Sequence, residues 1–294
     1  MVVVRFHCCI LAKMKNSKEI FRNLLQQITI REEAEEIKSI LYLVMDTVLR
    51  LSRADIISEK SILLNVEDQN RLQTIIQRIN QHEPVQYILE EAYFFGRKFK
   101  VTPAVLIPRP ETELLVEEAM NESNPLTPGT IVDIGTGSGC IAVTLAKELP
   151  GKRIVGIDVS KDALLVANEN ALELKASVEF LLINVLNDFP FQKVEMIVSN
   201  PPYVAVSEKS TIKRNVLEYE PHLALFVADH DPLLFYKVIA QKGYPALMPN
   251  GKLLVEINEC YGNEVADIFR TAGYRNIRII KDFQNKDRII SANK

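Results

Sequence analysis

From Thr130 to Leu149 the chain reads TIVDIGTGSGCIAVTLAKEL. Ile131–Ile134 is an apolar run of strand length, and Ile141–Leu149 carries the apolar spacing of a helix. Between them Gly135, Gly137 and Gly139 allow a turn that residues with a Cβ enter only at a cost. A strand that turns on glycines into a helix opens a βα unit, and the pattern repeats downstream. Arg153–Asp158 reads as strand, residues 161–173 as helix, and Val178–Ile183 and Val194–Ser199 as strands. A helix over 232–247, a strand over Lys252–Ile257, a helix near 262–271 and strands near 277–282 and 287–291 complete the run. Alternation with strands that are apolar on both faces predicts a parallel, doubly wound α/β sheet over residues 111–294.

The chain upstream has a different texture. Residues 1–13, MVVVRFHCCILAK, read as an upstream extension ahead of Met14, too short to span a membrane. Over residues 14–82 apolar residues recur at helical steps: Ile20, Leu24, Leu25 and Ile28, then Ala34, Ile37, Leu41, Val44 and Val48. A further helix enters at Asp68-Gln69, and together these predict a small helical bundle. Residues 83–110 form the expected linker. Pro84–Ile88, Ala92–Phe95 and Phe99–Val101 read as strands broken at Gly96, a β-hairpin. A helix opens at Glu111 or Thr112 and runs through Met120. The chain has 294 residues, 47% of them hydrophobic and 25% charged, with net charge −3. That is the balance of a globular protein large enough for two domains. Ten basic and ten acidic residues lie between Lys15 and Asn80, so no basic stripe advertises capture of a nucleic acid backbone. Cys8, Cys9, Cys140 and Cys260 make no disulfide framework or CxxC pair, which fits a cytoplasmic setting.

The glycine loop is spaced GxGxG. A dinucleotide fingerprint, GxGxxG, needs glycine where Cys140 stands. Backbone N–H groups of such a loop approach a ligand closely, and Asp158, ending the next strand, can accept both hydroxyls of a ribose. A loop and a strand-end acid without a pyrophosphate site point to S-adenosyl-L-methionine. The plain alternative is a turn that only packs helix on strand. Cys140, at the start of a helix, is read as packing, and His222 and His230 as loop or surface residues with no metal.

The fourth strand of the unit ends in IVSNPPY, Ile197 to Tyr203. Its position puts Asn200 at the carboxyl edge of the sheet, where open α/β sheets bind ligands. The Asn200 amide oxygen and a carbonyl of Pro201 or Pro202 can accept the two hydrogens of a planar NH₂ group. Tyr203 can cover its face. Such acceptors stabilise the positive charge that grows on a delocalised nitrogen as it attacks a methyl group.

With DIGTGSG and SNPPY, the chain resembles the class I, Rossmann-like methyltransferases that act on amino nitrogens. LIPRPETE (Leu106–Glu113), PVQYI (Pro84–Ile88) and YFFGRKF (Tyr93–Phe99) narrow this to the HemK/PrmC family, the peptide chain release factor N5-glutamine methyltransferases, over roughly residues 20–294. The resemblance implies methyl transfer to the glutamine of the Gly-Gly-Gln tripeptide of class-one release factors. It assigns Gly135, Thr136, Gly137, Ser138, Gly139, Asp158, Asn184, Val185 and Asn200 to the cofactor. Asn200, Pro201, Pro202 and Tyr203 hold the glutamine, with Asn200, Pro201 and Tyr203 nearest the chemistry, and Arg109 and Glu111 frame the substrate. The expectation is a cytoplasmic monomer without a metal, a membrane anchor or direct nucleic acid contact. Asn184 stands where the family often has Asp, Val185 where some members carry a larger side chain, and Glu90 and Asn258 where glycine is usual. Two other readings use the same residues. An exocyclic amino group of a flipped base would suit SNPPY and would call for a basic face. A binding protein without catalysis would need a damaged loop, and both loops are intact.

Overall fold

The computed structural model describes residues 16–124 and 127–294. The expected extension over residues 1–13 lies outside the described residues. The chain divides into two compact units. One runs to Glu90 and also contains Arg214–Tyr219; the other holds Glu91–Lys213 and Glu220–Lys294.

The first unit is helical. α1 (Ser17–Gln27) starts where the Asn16 side chain accepts from Glu19 N at 2.9 Å. α2 (Ala34–Leu49) follows, then α3 (Arg53–Ile57), opened by a reciprocal Ser52–Asp55 capping box. α4 (Val66–Asn80) begins earlier than the sequence suggested, because Asn65 caps it by accepting from Asp68 N at 2.7 Å. The helical spacing does its work: Ile20, Leu24, Leu41, Val44, Met45, Leu72, Ile76 and Ile79 are buried in one core. Pro84–Ile88 is not a strand. Val85–Leu89 forms a short helix, α5, with Pro84 as its N-cap and Val85 and Ile88, one turn apart, both in that core. Glu90 ends it in the left-handed region at φ +57°. That conformation suits the glycine expected there and costs a residue with a Cβ.

The second unit opens with the hairpin β1 (Glu91–Phe94) and β2 (Arg97–Lys100), whose Phe94 and Phe99 enter this unit's core. Its remaining main elements are α6 (Pro110–Glu122), β3 (Gly129–Ile134), α7 (Cys140–Glu148), β4 (Lys152–Asp158), α8 (Lys161–Glu173), β5 (Val178–Leu182) and β6 (Val194–Ser199). After the short β7 (Val204–Ala205), α9 (Arg214–Tyr219, of the first unit), α10 (His222–Leu225) and β8 (Phe226–Val227) come α11 (Leu234–Ala246), β9 (Leu247–Glu256), α12 (Gly262–Thr271), β10 (Arg275–Lys281) and β11 (Asp287–Asn293). The sheet has seven strands in the order β10-β11-β9-β6-β3-β4-β5. It is not wholly parallel: β11 runs antiparallel to both β9 and β10. The short turn after β10 cannot carry a parallel crossover, so the last strand must reverse. Side chains alternate between two cores. Val132, Val155, Ile197 and Leu253 pack with Tyr236, Ile239 and Phe269 on one face. Ile131, Ile154, Met196 and Leu254 pack with Leu115, Val116, Ile141 and Leu145 on the other.

One polar cluster crosses the sheet. Lys152 Nζ on β4 reaches Glu195 on β6 at 2.7 and 2.6 Å, and β3 lies between them. The bridge passes over Gly129, where an added Cβ would sit 1.6 Å from Glu195 Oε2. Ser123 Oγ donates to the same carboxylate at 3.1 Å. Removing one partner of a buried ion pair leaves the other charge uncompensated. Lys152→Met is therefore expected to lose about 3–5 kcal/mol of stability in urea unfolding, and Lys152→Met with Glu195→Leu to recover most of it.

Candidate active site

The parallel register gathers the site. Ile134 pairs with Ile157 on β4 and with Ser199 on β6, so three strands end at one edge. The loops leaving that edge surround a cavity of about 220 Å³. Gly135, Gly137, Asp158, Asn184, Val185, Asn200, Pro201 and Pro202 all line it. Eight of the residues singled out from sequence thus share one wall-to-wall space. Ala104–Leu106, Ala163, Leu223 and Phe235 add to its apolar lining and were not singled out as site residues.

Gly135, Gly137 and Gly139 have φ of +72°, +55° and +79°. Nothing but the Asn200 carbonyl, at 4.0 Å, lies near a Cβ built at Gly135, so there the glycine serves backbone conformation and leaves room. A Cβ at Gly139 would press on Ala167 at 3.1 Å and on Phe180, so this glycine lets the helices approach. Thr136 and Ser138 are buried beneath the cavity and do not line it. Thr136 Oγ1 donates to Asp133 Oδ2 at 2.6 Å, and the Ser138 carbonyl accepts from Asn170 Nδ2 at 2.8 Å. Asn170 also exchanges hydrogen bonds with both backbone groups of Lys100, fastening the hairpin to the loop.

Asp158 Oδ2 accepts from Gly137 N at 2.9 Å and Oδ1 from Ser160 N at 2.8 Å. Burial holds its carboxyl above the ordinary range, and those N–H groups pull it back. Each oxygen keeps a lone pair for a hydroxyl. Asn184 Oδ1 accepts from Leu186 N at 2.9 Å, and Val185 is buried beside it. Asp133 is fully buried, its Oδ1 has no protein donor, and burial pushes its carboxyl up to about 7. These residues fit S-adenosyl-L-methionine: Asp158 for the ribose, the glycine loop for the amino-acid part, and Ile157, Val185 and Leu186 for the flat base. Burial pushes the Cys140 thiol up to about 12, so it is packing and not a nucleophile.

Tyr203, Arg109 and Glu111 lie outside the cavity lining. Tyr203 does not line the cavity; its Oη donates to Glu256 Oε1 at 3.3 Å, and burial raises the phenol, which stays neutral. Arg109 is held in an ion pair with Glu220 at 2.6 Å, and Glu220 also accepts from Ile107 N. Glu111 is exposed and lies outside the cavity lining. Thr112 and Glu256, which sequence reasoning did not single out as site residues, are joined to Asn200 by hydrogen bonds. Asn200 Nδ2 donates to Thr112 Oγ1 at 3.1 Å, and Thr112 Oγ1 donates to Glu256 Oε2 at 2.7 Å. The available signal was a carboxylate inside the apolar run Leu253–Ile257, which a purely structural strand has no use for. Asn258, the other departure, makes a turn whose side chain accepts from Cys260 N at 3.0 Å.

Asp158→Ala removes the side-chain acceptors of the Gly137 and Ser160 N–H groups together with the acceptor expected for a ribose diol. We expect at least a roughly tenfold rise in the Kd for S-adenosyl-L-methionine, read by calorimetry, with folding retained.

Residues 20–89 match the family model described as the PrmC N-terminal domain, and residues 110–223 match the Methyltransferase small domain. The release factor glutamine methyltransferase of Bacteroides thetaiotaomicron is 45% identical over 262 residues, 88% of this chain and 94% of that protein. The one from Flavobacterium psychrophilum is 40% identical, covering 95% of this chain and 99% of its own. A crystal structure of a methyltransferase from Pyrococcus furiosus superposes with TM-score 0.51 at 15% identity, covering 78% of this chain and 99% of that one, a likeness of fold. These relatives match the chain nearly end to end at 40–45% identity, and the chain belongs to the release factor glutamine methyltransferase family.

Proposed function

We propose that the chain methylates the side-chain amide nitrogen of the glutamine in the Gly-Gly-Gln tripeptide of class-one release factors, with S-adenosyl-L-methionine as donor. One observation carries this reading: the glycine loop with Asp158 and the Asn200-Pro201-Pro202 turn face the same cavity. The bound cofactor supplies an electrophilic methyl on a sulfonium. The protein supplies alignment and charge stabilisation. Asn200 Oδ1 and a proline carbonyl accept the two hydrogens of the substrate NH₂, which orients its nitrogen toward the methyl. As the bond forms, positive charge grows on that nitrogen, and both acceptors strengthen. Pro201 and Pro202 have no N–H, so no donor competes with the substrate there. The proton leaves to water after transfer, and no strong base is required.

The apolar lining from Ala104–Leu106, Leu223 and Phe235 excludes water, which strengthens these interactions. The helical unit is assigned to recognition of the protein substrate, since one glutamine must be chosen among many. Arg109, held by Glu220, and the exposed Glu111 are assigned to framing the substrate. The protein is taken to work in the cytoplasm as a monomer, without direct nucleic acid contact. Among the described residues no helix is long and apolar enough to cross a membrane.

The test is transfer of radiolabelled methyl to purified release factor, beside a Gln→Ala change in its tripeptide and beside total RNA and DNA. Label on the wild-type factor alone supports the reading; label on nucleic acid with none on the factor refutes it. Asn200→Ala is expected to lower turnover by at least ~100-fold, as loss of a transition-state acceptor does, while the cofactor Kd changes little.

A further inference from the structure

Asn200 can do its work in one of two side-chain orientations only. With its oxygen toward the cavity it accepts from a substrate NH₂. Turned over, it would set NH₂ against NH₂. Isolated amides exchange these faces, so something in the protein must choose. The choice is written in a chain of donors and acceptors. Glu256 is 1% exposed, and as a carboxylate it can only accept. It accepts from Tyr203 Oη at 3.3 Å and from Thr112 Oγ1 at 2.7 Å. Thr112, 3% exposed, has a single hydroxyl proton. That proton is spent on Glu256, so toward Asn200 the hydroxyl can only accept. Asn200 must then present Nδ2 to it, as it does at 3.1 Å, leaving Oδ1 for the cavity.

We propose that Glu256 is a positioning residue which, through Thr112, holds the Asn200 amide with its oxygen toward the substrate nitrogen. The kinetic consequence rests on the function proposed above; the orientation itself does not. Protonated Glu256 can donate to Thr112, whose proton is then free to turn toward Asn200 and invert the amide. Burial pushes Glu256 up to about 7, opposed by the Thr112 bond, by Arg288 and by the Tyr203 bond, and reinforced by Glu111. Tyr236 donates to the Glu256 backbone carbonyl, and Arg288 is itself engaged by Asp282. Cys140 stays neutral, and Arg109 acts on Tyr203 only at longer range. The sign follows: the productive orientation needs the ionised form, so it is lost as pH falls through the Glu256 pKa. Asp133 titrates in the same range, but it belongs to the cofactor loop and its effect is common to every variant below.

Two measurements test this. The side-chain amide protons of Asn200, assigned by their absence in Asn200→Ser, are followed by NMR against pH. They should shift with one titration near pH 7 in the wild type and not in Thr112→Val or Glu256→Gln. A titration that survives either substitution, or is absent from the wild type, overturns the relay. In methyl transfer, Thr112→Val should lower kcat by about tenfold or more, Thr112→Ser by less than about threefold, and neither should move the cofactor Kd more than about threefold. The acid limb of kcat should shrink in Glu256→Gln to the part that Thr112→Val also keeps, which is the Asp133 contribution. Equal losses in the valine and serine variants, or an acid limb undiminished in Glu256→Gln, reject the proposal. A wild type whose amide titrates but which labels no release factor supports the relay and refutes the substrate assignment alone.

Discussion

Everything at this site depends on the registration of three parallel strands. Hydrogen bonds pair β3 with β4 and β6 so that Ile134, Ile157 and Ser199 end level with one another. Parallel strands release their chains at the same edge, and each loop there is free of the sheet's own hydrogen bonding. The glycine turn, Asp158 and Asn200 meet because their strands stop together. A one-residue slip would carry each side chain to the opposite face, and the two dissimilar cores make such a slip costly. The Lys152–Glu195 bridge over Gly129 adds a second check, since it closes only when β4, β3 and β6 stand in this order.

The site sets carboxylates where water is scarce. Asp158 lines the cavity, Asp133 and Glu256 are each one hydrogen bond from the loops or side chains around it, and burial raises all three. None forms an ion pair among the described residues; each leans on hydroxyls or backbone N–H groups. Groups held in this way are directional, which suits a reaction that needs orientation more than acid or base strength. A cation in their place would neutralise charge without specifying which way a neighbouring amide must point.

Much of the fold was legible because its signals are local. Continuous apolar runs such as Val194–Ser199 and the glycine punctuation at residues 135–139 announce themselves within a few residues. Val85–Leu89 misled because Val, Tyr and Ile favour strands, while the pull of the helical core on Val85 and Ile88 is a tertiary effect. The reversed β11 and the sheet order depend on pairing across the chain. The loop residues that line the cavity were found because they occur in motifs. Thr112 and Glu256 were not: Thr112 lies within LIPRPETE, but nothing local in that stretch links it to Glu256, 144 positions away. Tyr203 was singled out because a phenol beside an amide clamp suggests stacking, whereas its hydrogen bond to a buried carboxylate 53 positions away has no local signal.

Arg214–Tyr219 gives the first unit a part that the ribosome delivers late. The unit's other helices have all been made by Leu89, yet Tyr219, whose Oη donates to the Gln81 carbonyl at 2.9 Å, follows more than a hundred residues afterwards. During vectorial synthesis the helical unit therefore stands unfinished while β3 to β6 emerge. It is completed only after the Asn200 turn exists. The two units are not successive beads on the nascent chain but interleaved projects, and maturation of the N-terminal one is timed by synthesis of the catalytic one.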